Sequence, residues 1–460
     1  MVEDTEFDDA VLTEREERDA LRRVAGLSTE LTDISEVEYR QLRLEQVVLV
    51  GVWTSGTAEQ AQRSLAELAR LAETAGSQVL AGFVQRRDKP DAATFVGSGK
   101  AAELRETVAA LGADTVICDG ELTPGQLQQL EKVLHVKVVD RTWLILDIFA
   151  QHARSREGKA QVALAQMSYM LPRLRGWGDA MSRQAGGIGT RGPGETKIET
   201  DRRRIRARIA KLRRELASMG TAREVARASR RRSKVPSVAI VGYTNAGKSS
   251  LLNRLTRAGV LVQDELFATV DPTVRKARTP SGREFTLSDT VGFVRHLPHQ
   301  LIESFRSTIE EAAEADLLLH VVDGSSDAPA EQISAVRTVL DEVGAAEVPE
   351  LIVVNKCDVA DPEVLADIRR SHRHVVVVSA LTGEGIDQLM QAIEDDLPRP
   401  SVEIDLVVGY DRADLVAQVH REAEIIDLIH GENGTRVHAR VDPQLAEVLK
   451  SAAVLDPPKD

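Results

Sequence analysis

A chain of 460 residues, 42% of them hydrophobic and with a net charge of −13, is long enough for about three domains with cores of their own. No apolar run approaches the roughly 18 residues that cross a bilayer, and the acidic stretch from Met1 to Ala20 lacks a signal-peptide core. Its two cysteines, Cys118 and Cys357, have no metal-ligand spacing, which excludes a disulfide scaffold and a cysteine metal centre and predicts a cytoplasmic protein with reduced thiols.

Residues 1–44 carry 13 acidic and 6 basic side chains and few aromatics, a composition that predicts disorder. From residue 45, apolar runs at 47–53, 78–84, 115–118 and 136–139 predict strands, with helices over 58–75, about 100–111 and 123–134 between them. Alternation at this spacing predicts a small parallel α/β domain over 45–142. Within it, Gly97-Ser98-Gly99-Lys100 lies between a short strand and a helix, and a glycine turn at a helix N-terminus attracts anions. The segment could hold a nucleotide or an RNA phosphate. It lacks the four-residue gap between glycines and the Ser or Thr after lysine, and a plain turn is the alternative.

Residues 143–234 read as two long helices joined by a loop. Ala160, Leu164, Met167 and Leu171 form one apolar stripe and Ile205, Ile209, Leu212, Leu216 and Met219 another, which predicts an antiparallel hairpin with charged outer faces. Residues 151–234 hold 22 Lys and Arg against 7 Asp and Glu, leaving 37 against 65 in the rest of the chain. One basic segment in an acidic protein points to a local nucleic-acid contact, with solvated helix faces as the plainer account. The loop, taken as 176–197, has seven glycines between Gly176 and Gly194. Gly186, Gly187, Gly189, Gly192 and Gly194 would let the backbone thread between nucleotides, while Arg191, Lys197 and Arg202 meet phosphates. A slack connector is the other account of the same residues.

The segment Gly242-Tyr243-Thr244-Asn245-Ala246-Gly247-Lys248-Ser249 fits G-x-x-x-x-G-K-[ST], between the apolar run 236–241 and a helix beginning at Ser250. In that pattern backbone N–H groups cradle phosphates, Lys248 reaches the outer phosphates and Ser249 ligates Mg²⁺. Phe267-Ala268-Thr269-Val270-Asp271-Pro272-Thr273 follows, and either threonine could supply a second hydroxyl to Mg²⁺. Asp289-Thr290-Val291-Gly292 ends an apolar strand with D-x-x-G, so that Asp289 can hold Mg²⁺ through water and the Gly292 N–H can meet a γ-phosphate. Asn355-Lys356-Cys357-Asp358 fits N-K-x-D, where Asp358 can accept the N1–H and 2-amino group of guanine, a pair that adenine lacks. Ser379-Ala380-Leu381 resembles the loop that backs the base. Four motifs in this order, each at a strand end, make residues 235–398 a GTP-binding domain. Lys248, Asn245 and Gly292 are the candidate catalytic groups, acting by position and charge. Phe293 stands where small GTPases often carry a water-orienting glutamine, so intrinsic hydrolysis should be slow. Beyond Pro398-Arg399-Pro400, strands at 402–408, 425–430 and 435–440 with helices at 411–422 and 442–450 predict an α+β docking module over 399–460.

The signatures G-Y-T-N-A-G-K-S, F-A-T-x-D-P-T, D-T-V-G-F and N-K-x-D resemble those of the bacterial HflX family of translation-factor-related GTPases, a likeness spanning roughly residues 45–400. The resemblance implies that Thr269 is the Mg²⁺-linked switch residue and that Thr273 lies just outside. It implies that the glycine-rich loop enters the peptidyl transferase region of the 50S subunit; a monomer in the cytoplasm, at most peripheral at the membrane, is expected. Docking would separate idle or stalled 70S ribosomes into subunits and GTP hydrolysis would release the protein, with an ATP-linked activity in the first domain. Asn245 is similar to P-loop asparagines that bind K⁺ beside the phosphates, a local loop brace being the alternative. Two other functions fit the same residues: an ATP-driven RNA-remodelling enzyme, and a regulatory switch for protein partners such as a membrane protease complex.

Overall fold

A computed structural model describes residues 46–174, 193–233, 235–256, 266–267, 273–295, 311–398, 402–431, 433–441 and 443–455. The acidic segment 1–44 and most of the glycine-rich loop lie outside them. The first unit alternates β1 (Gln46–Trp53), α1 (Ala58–Thr74), β2 (Gln78–Arg86), α2 (Ser98–Leu111), β3 (Thr115–Asp119), α3 (Pro124–Leu134) and β4 (Lys137–Asp140). Its sheet is all parallel in the order β2-β1-β3-β4. Capping boxes start α1 (Thr57 with Gln60) and α3 (Thr123 with Gln126), each worth about 1 kcal/mol of helix stability.

Residues 141–233 depart from the expected pair of helices. Among the described residues there are three: α4 (Arg141–His152), α5 (Arg156–Arg173) and α6 (Pro193–Ser233). Asp140 caps α4, and a second cap, Ser155, accepts from the Gly158 N–H at 2.8 Å and restarts the chain as α5. A helix apolar all round is a buried one, and α4 buries Leu144, Ile145, Leu146, Ile148 and Phe149. The hairpin stripes meet between α5 and α6, where Ala160 and Ala163 pack on Leu212 with Leu164, Met167 and Leu216 around them.

The second unit follows as β5 (Ser237–Gly242), α7 (Lys248–Thr256), β6 (Thr273–Arg278), β7 (Glu284–Asp289), β8 (Leu317–Asp323), α8 (Pro329–Glu342), β9 (Glu350–Asn355), α9 (Pro362–Ser371), β10 (Val375–Val377) and α10 (Ile386–Asp396). Its sheet runs β10-β9-β8-β5-β7-β6, parallel except for the β6–β7 hairpin. The last unit is an antiparallel sheet, β12-β13-β11-β14, of β11 (Val402–Val408), β12 (Glu424–Gly431), β13 (Gly434–Val441) and β14 (Ala453–Leu455), with α11 (Ala413–Glu422) and α12 (Pro443–Ala452).

The first two sheets share one core. Alternation along β1 sends Val48 and Val50 towards α2 and α3, and Val47 and Leu49 into a layer with Leu68, Leu71, Ile145 and Phe149. On β5, Val238 and Ile240 face α7 and α10, while Ala239 and Val241 enter that same layer together with Val336 and Leu340 of α8. The nucleotide-type sheet is therefore packed directly against the first unit. Among the described residues no helix is long and apolar enough to cross a membrane.

Candidate nucleotide site

The P-loop is shaped by glycines that admit nothing larger. Gly242 has φ +150, and a Cβ there would fall 2.2 Å from the Val321 carbonyl oxygen; Gly247 has φ +89, and its Cβ would fall 2.2 Å from Asn355 Nδ2. Asn245, between them, is left-handed at φ 58. Asparagine tolerates that region better than most residues.

Asn355 ties three motifs together. Its Nδ2 donates to the Ala246 carbonyl at 2.9 Å, and its Oδ1 accepts the Ala380 N–H at 2.9 Å. N-K-x-D, P-loop and Ser379-Ala380-Leu381 thus meet at one buried amide. Lys356, also left-handed at φ 63, donates to Asp323 at 2.7 Å. Ser379 is fully buried and its hydroxyl accepts the Thr382 N–H at 3.1 Å, while Leu381 is 82% exposed. Asp358 is exposed beyond β9, where a base can reach it, and Cys357 is a free thiol beside it.

The phosphate end is closed. Lys248 Nζ donates to the Tyr243 carbonyl at 2.8 Å, and burial lowers its pKa to about 8 against the opposing pull of Asp289. Ser249 Oγ donates to Asp289 Oδ2 at 2.7 Å. Thr290 is buried with its hydroxyl on the Ile240 carbonyl at 2.8 Å, and Val291 enters the shared core. Gly292 lies against the P-loop: a Cβ on it would come within 2.7 Å of Thr244 Cγ2 and 3.1 Å of Lys248 Nζ. Phe293 pairs with Tyr243 as a parallel bridge; the Thr244 N–H donates to the Phe293 carbonyl at 2.7 Å and the Phe293 N–H to Gly242 at 3.2 Å. The Phe293 ring is buried in the shared core.

An oxygen-only pair, hydroxyl and carboxylate, at the foot of a phosphate cradle fits Mg²⁺, which prefers few protein ligands and keeps waters and phosphate oxygens. Ser249 would hold the ion directly and Asp289 through water. Thr269 lies outside the described residues, with Ala268, Val270 and Asp271; Phe267 is described, left-handed at φ 59 and edge-on to Phe149 at 4.6 Å. Thr273 opens β6 opposite Asp289, so its backbone is held in a sheet ladder. Ser249→Ala and Thr269→Ala should each slow Mg²⁺-dependent GTP hydrolysis by about tenfold or more, and Thr273→Ala by less than about threefold. Initial rates at saturating Mg²⁺ check this; a larger loss at Thr273 would reassign the switch threonine.

Two expectations need correction. The loop read as 176–197 ends by residue 192, because Pro193 starts α6 and carries Gly194 and Lys197 into the helix. Proline at the first helical position followed by Glu195 in the first turn is a helix start, here hidden by the neighbouring glycines. Arg202 is 17% exposed and pairs with Glu199 at 3.5 Å, so it is poorly placed for phosphate. Gly186, Gly187, Gly189, Arg191 and Gly192 lie outside the described residues. At the second glycine turn, Lys100 is engaged with Glu103 at 2.6 Å and lies over the Phe83 ring at 5.2 Å, and Arg87 donates to the Val96 carbonyl beside Gly97 at 3.1 Å.

Comparison with known proteins agrees with the order of motifs. Residues 62–150 and 152–230 match families described as the N-terminal and middle regions of GTP-binding GTPases. Residues 237–356 match a family described as 50S ribosome-binding GTPase, and 365–452 the HflX C-terminal domain. The chain is 45% identical to GTPase HflX of Lacrimispora saccharolytica over 426 residues, covering 92% of this chain and 99% of that one. It is 46% identical to GTPase HflX of Escherichia coli over 357 residues, covering 77% and 83%. Among solved structures, a complex of SsGBP with GDP is 25% identical with a TM-score of 0.44, covering 76% of this chain and 98% of that one.

Proposed function

This chain belongs to the HflX family of GTPases and hydrolyses GTP to GDP and phosphate, and on that premise we propose that its GTP state binds the large ribosomal subunit and splits idle or stalled 70S ribosomes into subunits. Hydrolysis then releases it. The observation that carries this reading is α6, a 41-residue helix whose outer face exposes Arg203, Arg204, Arg206, Lys211, Arg213 and Arg214. Those charges far exceed what Ile209 and Leu212, the buried contacts on α5, need for solubility. A basic rod of this kind suits an RNA groove, where each phosphate neutralised releases counterions. The family description of the GTPase segment as ribosome-binding supports the same partner.

In this reading Lys248 balances charge on the outer phosphates, the Gly292 N–H turns to the γ-phosphate, and Asp358 selects guanine. Mg²⁺, held by the hydroxyls of Ser249 and Thr269 with Asp289 behind it through water, would neutralise charge on the β- and γ-phosphates. Buried Phe293 leaves no side chain in its position to orient water, so the ribosome supplies that group. When 70S ribosomes are sedimented with this protein and a non-hydrolysable GTP analogue, the 70S peak should give way to 30S and 50S peaks. A 70S peak unchanged at saturating protein would overturn the proposal and leave a GTPase switch with protein partners.

A further inference from the structure

One face of α1 grips the nucleotide machinery. Gln60, Arg63 and Glu67 are spaced three and four residues apart, which puts them in one stripe. Gln60 Nε2 and Arg63 Nη2 both donate to Glu331 Oε1 at 3.1 Å, and Glu331 Oε2 accepts the Arg295 guanidinium. Glu67 Oε2 accepts the Tyr243 hydroxyl at 2.8 Å, while its Oε1 accepts from Arg141, which is buried and also bonded to Asp119 at 2.8 Å. The same phenol oxygen accepts the Arg295 backbone N–H at 2.6 Å. Tyr243 belongs to the P-loop and Arg295 to the segment after D-x-x-G, so a single hydroxyl joins both to the first unit. Burial and the Glu67 carboxylate push the phenol pKa up, so the proton that Glu67 accepts stays on the oxygen.

The groups that would meet a γ-phosphate are bonded to each other instead. Lys248 Nζ donates to the Tyr243 carbonyl at 2.8 Å, and Phe293, next to Gly292, is bonded to the P-loop through the Thr244 N–H at 2.7 Å and the Gly242 carbonyl at 3.2 Å. Triphosphate entry must withdraw Gly292 and Phe293, and Arg295 is two residues further along the same strand-like segment. We propose that Tyr243 is a positioning residue through which the N-terminal unit sets the balance between diphosphate and triphosphate: its hydroxyl clamps Arg295 to Glu67 and holds the γ-phosphate space shut. Linkage then requires the converse, that GTP loading loosens the grip of α1 on the P-loop face.

The test is equilibrium titration of the full chain with GDP and with a non-hydrolysable GTP analogue, both with Mg²⁺. Tyr243→Phe keeps the buried ring and removes both bonds, so analogue affinity should rise about three- to tenfold relative to GDP, the range for one net hydrogen bond. Glu67→Gln keeps a weaker, neutral acceptor and should shift the ratio about twofold in the same direction. Combined, the two should do no more than Tyr243→Phe alone, because they break the same link. An unchanged ratio in Tyr243→Phe overturns the clamp. So does an unchanged ratio in Glu67→Gln, which sits outside the nucleotide pocket and also serves as the test should the tyrosine variant fail to fold. GDP binding by the parental chain is the control that separates failure of the clamp from failure of the nucleotide site on which it rests.

Discussion

Asp358→Asn should lower GTP affinity by about two to four orders of magnitude, the cost of two charge-assisted hydrogen bonds, and raise affinity for xanthosine triphosphate. The carboxylate accepts from guanine N1–H and the 2-amino group; an amide turns one acceptor into a donor, which suits the carbonyl that xanthine has instead. Nothing else at this turn should move. Asn355 holds the loop from beneath through its bonds to Ala246 and Ala380, and Lys356 is tied to Asp323. Asp358 itself is exposed, so the substitution leaves no buried group unpaired. Titration with fluorescent guanine and xanthine nucleotides checks the exchange, and parental GTP affinity in the variant would remove Asp358 from the base site.

Deleting Gly186 to Gly192 should leave GTP affinity within about twofold, since surface changes remote from a site are usually near neutral, while subunit splitting falls about tenfold or more. The cut stops short of Pro193 and so keeps the first turn of α6. Between the loop and the P-loop stands the whole of that helix, and α5 and α6 keep their contact at Ala160, Ala163 and Leu212. Arg191→Glu should do part of the same damage and flatten the salt dependence of ribosome binding by about one unit of slope. Splitting by the deletion variant at the parental rate would make the segment a connector and direct attention to the exposed arginines of α6.

What was legible in the sequence was what is local. The P-loop, D-x-x-G and N-K-x-D segments are each a strand end and a turn, so spacing and apolar runs place them, and β5, β7 and β9 end at Gly242, Asp289 and Asn355. The α4–α5 break is signalled by Ser155, a cap inside the polar run 151–159, and such a run reads equally well as the exposed turns of one continuous helix. The start of α6 was masked by glycines around Pro193. The short strand β14 pairs with β11 from 45 or more residues away and has no pattern of its own. Least legible was the layer between the first two sheets. Val47 and Ala239 read as ordinary core residues of separate units, and nothing local pairs Glu67 with Tyr243, 176 residues apart. The role of Asn355 was only half seen: as part of a motif, but not as the amide joining the P-loop to the loop behind the base.

The length of α6 has a mechanical meaning. At 1.5 Å per residue its 41 residues span about 60 Å, and only three residues separate its end at Ser233 from β5, the strand that leads into the P-loop. A tilt of about 5° at that root would sweep the far tip through roughly 5 Å, one turn of a helix. Removal of a γ-phosphate alters atomic positions by little more than the size of the group itself. Rooted one strand's length from the P-loop, a rod of this length would turn a small rotation at its base into a stroke on the scale of a nucleotide at its tip.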